Sequence, residues 1–144
     1  LQYPGSLVIR TSWLYSEFGK SFPKTILEKA KKGDPLKIVS DQTATPTYSK
    51  DLVQATFQLL AKNAFGLIHY ACSGEASWFD FATKAIELYN FKTASKLTFP
   101  TPIRTGEFPA KAKRPVYSVL DCTKAKNLGV ERRPWETALS EFLD

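Results

Sequence analysis

The chain has 144 residues, 43% of them hydrophobic and 24% charged, with a formal net charge of +6, which is enough length and apolar content for one domain with a real core. Ten Phe, six Tyr and three Trp argue against disorder, no apolar run approaches the ~20 residues of a membrane span, and no charged-then-apolar signal segment is visible. A basic balance suits nucleic acid, anionic lipid or phosphorylated small molecules as partners.

In chain order, Leu7-Val8-Ile9 is a short apolar run between Pro4-Gly5 and polar residues, and reads as a buried strand. Ser21 to Lys32 reads as a helix. Ser21 is placed to cap it, Pro23 suits its first turn, Ile26, Leu27 and Ala30 share a face with Phe22, and Gly33 stops it. Leu36 to Val39 follows as a strand. Ser49 to Leu60 is a second helix, with Leu52, Val53, Thr56, Phe57 and Leu60 expected on its inner side. Gly66 to Ala71 is a strand containing the single histidine, His69. Ser77 and Asp80 form a capping-box pair ahead of a helix with Trp78, Phe81, Ala82, Ala85, Ile86 and Tyr89 on its apolar face. Leu97-Thr98-Phe99 is a weaker strand. From Pro100 to Pro115 the periodicity breaks, and Arg104, Lys111, Lys113 and Arg114 gather there. Loops of that length are usually functional or disordered. Asp121 is placed to cap a short helix ending at Leu128-Gly129, and Pro134 opens a last helix with Trp135, Leu139, Phe142 and Leu143. Strands alternating with helices of this length predict an α/β fold with parallel strands.

No complete catalytic set is present. The seven glycines are too scattered for a dinucleotide fingerprint or a phosphate loop, and no tyrosine is followed four residues later by lysine. Cys72 and Cys122 form neither a CxxC nor a disulfide framework, and one histidine is too few for a Cys/His metal site. Two reduced thiols fit a cytoplasmic protein. Asp51 reads as a charge favouring the start of its helix, and Trp78 and Trp135 as core. The chain contains no methionine, so Leu1 is expected to be an internal start.

Five segments, in order, carry a resemblance. Ile9-Arg10-Thr11-Ser12-Trp13-Leu14-Tyr15 comes first. Asp41-Gln42 with Thr45-Pro46-Thr47-Tyr48 and Asp51-Leu52 is second, and Gly74-Glu75-Ala76-Ser77-Trp78-Phe79-Asp80-Phe81-Ala82 third. Arg114-Pro115 with Tyr117 to Asp121 and Trp135 to Leu139 complete the set. Together they resemble the dTDP-4-dehydrorhamnose reductase family over nearly the whole chain. The resemblance implies the C-terminal part of a Rossmann-like extended short-chain reductase, with parallel strands alternating with helices plus a small substrate-binding subdomain, all within residues 1–144. The cofactor-binding half with its Tyr-x-x-x-Lys pair would then lie outside this chain. The implied activity is reduction of the C4 ketone of dTDP-4-dehydro-L-rhamnose with NADPH or NADH.

That resemblance implies a role for five residues, and a sixth, Lys20, departs from it but has a role argued from its position. Thr11 and Ser12 border the nicotinamide. Trp13 stacks on the substrate, Thr47 donates a hydrogen bond to it, and Arg114 forks onto its diphosphate. Lys20, where the family often has an asparagine, meets the diphosphate at a helix N-terminus. A plain turn remains the alternative at Thr47 and a solvated surface charge at Lys20. No residue is assigned a catalytic or metal-binding role. The expected partner is a dTDP-sugar, without nucleic acid or membrane, and a homo-oligomer is compatible. Some relatives of this family, such as the regulatory subunit of methionine adenosyltransferase, are non-catalytic, which is the alternative reading. Cut from a parallel sheet, the first strand is expected to expose an edge, giving self-association or marginal stability.

Overall fold

The computed structural model describes residues 3, 5–109 and 112–144. The α/β reading holds. Strand β1 (Leu7–Arg10) pairs in parallel with β6 (Gly66–His69), register Leu7 to Gly66 through Arg10 to His69. Strand β2 (Leu14–Tyr15) pairs in parallel with β5 (Thr47–Tyr48), and β3 (Lys37–Val39) with β8 (Thr101–Ile103). The antiparallel pair is β4 (Thr43–Ala44) with β7 (Ala76–Ser77). Between them in the chain lie α1 (Phe22–Lys31), α2 (Ser49–Ala61) and α3 (Trp78–Thr93), and α4 (Thr123–Asn127) and α5 (Trp135–Phe142) follow the last strand. No helix among the described residues is long and apolar enough to cross a membrane.

The fourth strand of the pattern lies later than expected. Leu97 to Phe99 is irregular, and the strand that pairs with β3 is Thr101–Ile103 with a proline at its centre. The proline is tolerated because of the geometry of a parallel pair. The Thr101 amide donates to the Leu36 carbonyl (2.7 Å) and the Ile103 carbonyl accepts from the Ser40 amide (2.9 Å). Residue 102 therefore faces away from β3, where a missing N–H breaks no bond.

Helix α2 is also rotated from expectation. Its buried residues are Asp51, Ala55 and Leu59, while Val53, Phe57 and Leu60 face outward. Apolar residues occupy two faces of this helix, so periodicity alone chose the wrong one. Ser21 holds the N-cap position of α1 with an extended backbone, yet its hydroxyl makes no capping bond. Its carbonyl instead accepts from the Thr25 amide and hydroxyl, both at 3.0 Å. The capping box at α3 forms as read: the Asp80 amide donates to the Ser77 hydroxyl (3.0 Å) and the Ser77 amide to the Asp80 carboxylate (2.9 Å).

Three clusters make the core. An aromatic one joins Tyr15, Tyr48, Phe81 and Trp135 with Leu139, from β2, β5, α3 and α5. A second packs Ile26, Leu27 and Ala30 of α1 on Ala82 and Ile86 of α3, with Leu36. The third sets Ala55 and Leu59 of α2 against Ile68, Tyr70, Ala125 and Val130. Each large side chain buried this fully stabilises the fold by about 1.5–3 kcal/mol relative to exposure.

Candidate functional site

A cavity of about 480 Å³ opens beside the aromatic cluster. Trp13, Phe22 and Trp78 form one side, and Ile38 and Val39 of β3 line it with Lys37. Gln42 and Ser118 add polar groups, and Phe108, Arg114 and Pro115 border it from the irregular segment. The character is that of a ligand site: mostly apolar walls with a few convergent polar groups.

The aromatic side is built by the turn after β1. Trp13 adopts φ +42, a left-handed conformation that is uncommon for a bulky residue and costs on the order of 1–3 kcal/mol. Two contacts hold it there. Its carbonyl accepts from the Thr47 amide (3.2 Å), and its indole stacks on that of Trp78, with centroids 3.6 Å apart and planes at 15°. Trp78 is the first residue of α3, fixed by the capping box, and Phe22 packs on it at 4.6 Å.

The opposite side is built by long-range clips onto residues 41–43. The Thr105 hydroxyl (2.6 Å) and amide (2.9 Å) both donate to Asp41, whose carboxyl is held below its usual range by the Thr105 hydroxyl and amide. The Gln42 side-chain amide donates to the same hydroxyl (3.0 Å). At the far end of the segment the Thr43 amide donates to Val116 (2.7 Å) and the Ser118 amide to Thr43 (2.9 Å). The Tyr117 hydroxyl reaches Glu75 at 2.7 Å. The segment from Arg104 to Ser118 is therefore tied at both ends, which brings Phe108 and Arg114 to the cavity.

The residues singled out from sequence divide as follows. Trp13 and Arg114 share the cavity, although 101 positions separate them. Thr11 and Ser12 sit half-buried just beyond the C-terminal end of β1, and the Thr11 hydroxyl has no hydrogen-bond partner among the described residues. Thr47 is fully buried in β5 and does not line the cavity; its hydroxyl likewise has no partner among the described residues. It joins the site through its backbone bond to Trp13. Lys20 is exposed and outside the cavity lining, as are Arg104 and Lys113. Lys111 lies outside the described residues.

Sequence reasoning missed Trp78 and Phe108. Trp78 reads as core because it is in phase with Phe81, Ala82 and Ala85, but as the first residue of α3 it overhangs the packed face and turns toward the cavity. Its place directly after a capping box was the available signal. Phe108 lies in a stretch with no periodicity to reveal it. Trp135, by contrast, is core as read, 4% exposed. The nearby Gly74 keeps φ +87, and a Cβ there would meet the Trp135 ring at 3.0 Å. The Gly74 carbonyl accepts from the Thr45 hydroxyl at 2.8 Å.

A second polar centre is structural. Asp51 is 5% exposed and pairs with Arg133 at 2.7 Å, and both Arg133 and Lys50 contact Glu141. Asp51 thus has more than a helix-terminus role: it ties α2 to α5. Lys50 and Arg133 draw the Glu141 carboxyl down to about 2. Cys72, fully buried, donates its thiol toward Asp51 at 3.6 Å and is pushed up to about 11 by that burial. Burial also raises the hydroxyls of Tyr15, Tyr48 and Tyr70 above their usual value, the reverse of what a catalytic tyrosine poised to transfer a proton needs.

The family model for the RmlD substrate binding domain matches residues 2–144. The chain is 38% identical, over 96% of its length, to the Bacillus subtilis spore coat polysaccharide biosynthesis protein SpsK, of which it covers 47%. It is 36% identical to the dTDP-4-dehydrorhamnose reductase of Aggregatibacter actinomycetemcomitans, covering 96% of this chain and 50% of that one. Among solved structures, a dTDP-4-dehydrorhamnose reductase ortholog from Clostridium acetobutylicum superposes with a TM-score of 0.84 at 37% identity, over 94% of this chain and 47% of that one. The Bacillus anthracis reductase in complex with NADP gives 0.83 at 32% identity, over 94% and 46%. The chain spans about half the length of the curated relatives it matches.

Proposed function

The chain belongs to the RmlD substrate binding domain family, and on that footing we propose that it is the sugar-nucleotide-binding part of a reductase that converts the C4 ketone of dTDP-4-dehydro-L-rhamnose to the alcohol with NADPH or NADH. The observation that carries this reading is the meeting of Trp13 and Arg114 at one largely apolar cavity. An indole offers a flat surface to a pyrimidine or sugar ring. A guanidinium at the rim matches the forked geometry of a diphosphate. Gln42 and Ser118 supply hydrogen-bonding groups between them.

The residues present also fit a nicotinamide cofactor at one edge. Ligands of open α/β sheets bind beyond the C-terminal ends of the strands, and Thr11 and Ser12 follow β1 at that place, with the Thr11 hydroxyl free of partners among the described residues. When bound, the cofactor supplies the hydride. Thr11 and Ser12 would border it, Trp13 would exclude water from between it and the substrate, and Arg114 would anchor the diphosphate away from the reacting carbon. Thr47 supports Trp13 from behind through its backbone. Lys20 would act at the rim on the diphosphate side. This role suits a cytoplasmic protein acting in polysaccharide biosynthesis, with self-pairing into a homo-oligomer left to the complete protein.

The test is a titration of the full-length protein with dTDP-rhamnose, read by tryptophan fluorescence. R114A should weaken binding by about tenfold or more, the value of charge-assisted hydrogen bonds to one group, and W13A by a similar factor. An equal response to free rhamnose, or undiminished affinity in both variants, would remove the assignment.

A further inference from the structure

Resting on the site just proposed, we infer that Trp78 is a positioning residue: it takes one face of the Trp13 indole and leaves the other as a one-sided platform for a ligand ring. The stack has centroids at 3.6 Å and planes at 15°, so no ring can enter between the two indoles. Trp13 sits in a left-handed backbone conformation, which persists only where surrounding contacts hold it, and the Trp78 stack is one of them. Trp78 is itself immobilised twice. Its backbone begins α3 behind the Ser77–Asp80 capping box, and Phe22 braces its ring at 4.6 Å. All three rings line the cavity. The order Phe22, Trp78, Trp13 is a graded buttress running from α1 through α3 to the ligand site. A pre-oriented platform saves the ordering entropy that a loose indole would lose on binding.

Two stacked indoles couple their transitions and give an exciton couplet in the ultraviolet circular dichroism, a signature that a purely space-filling role for Trp78 does not require. In the full-length protein, W78L should abolish the couplet and raise KM for the dTDP-sugar about tenfold, with a smaller change in kcat. W78F should keep the fold and partly restore KM, because it keeps a stacking ring. In a W13A background, which has no platform ring left to orient, W78L should add little further loss, since residues acting as one unit are non-additive. Additive losses in the double variant, or a couplet that survives W78L, overturn this inference while leaving the site intact. An unchanged KM in W13A overturns the site and the inference together. W78F carries the test if W78L does not fold.

Discussion

The aromatic side of the molecule and the β1/β6 side differ in how completely they are packed. Around β2, β5, α3 and α5, Tyr15, Tyr48, Phe81 and Leu139 are essentially inaccessible, and Tyr15 alone touches Tyr48, Phe81 and Phe142 at ring separations of 5.1–5.5 Å. At β1 and β6, one face holds Ile9 and Ile68 against α2 and α4, while Val8 and Leu67 on the other face stay open. The outward stripe of α2 continues this exposure through Val53, Phe57 and Leu60, with Phe57 68% exposed. Parallel strands are normally covered on both faces. The part of the chain with the most regular βαβ pattern is therefore the part left most incompletely covered, and the less regular part closes on itself and makes the cavity.

The largest effect that would sharpen this contrast is a pair of substitutions followed by denaturant unfolding. L139A should cost about 2–5 kcal/mol as a truncation inside a closed core. F57S should cost no more than about 0.5 kcal/mol if its side chain meets only water. A loss above about 2 kcal/mol at Phe57 in the full-length protein would break the contrast by showing that the α2 stripe is covered there.

The seam between the two regions is the Asp51–Arg133–Glu141 group, and R133M should be nearly as damaging. It leaves Asp51 buried without its partner, at a cost of about 3 kcal/mol. The double variant D51N/R133M should recover part of that loss, and no recovery would show that Arg133 acts through packing alone.

A smaller effect is pH-dependent. Glu141 has a folded value of about 2 against an ordinary 4.5, with Lys50 the leading cause and Arg133 the next. A depressed carboxylate contributes stability that is present above the unfolded value and lost as pH falls toward the folded one. The stability difference between wild type and E141Q should therefore be full at neutral pH and vanish between about 4.5 and 2. A difference constant across that window would mean that Glu141 is not held by charge.

These contrasts also mark what could be read without coordinates. The strands at β1, β3 and β6 and the capping box at Ser77 are local signals, a short apolar run or a pair of residues three apart, and they landed where expected. The orientation of α2 did not, because Val53, Phe57 and Leu60 are as apolar as the residues that face inward, and only the position of β6 and α4 decides between two such faces. Trp13 and Arg114 were legible through motifs. Their meeting at one substrate followed from the resemblance, but the means of it did not, since it depends on the clips from Thr105 to Asp41 and from Ser118 to Thr43, each spanning more than sixty residues. The burial of Thr47 was invisible for the same reason: a Thr-Pro-Thr turn looks alike whether it faces a ligand or supports the residue that does.

Pro102 gives the β3–β8 ladder a direction. With its nitrogen turned outward and no hydrogen to offer, β8 is a poor template for any further strand. That flank is self-terminating. Among the described residues β1 pairs only with β6 and has no proline on its other edge, so another strand would be accommodated more readily there than at β8.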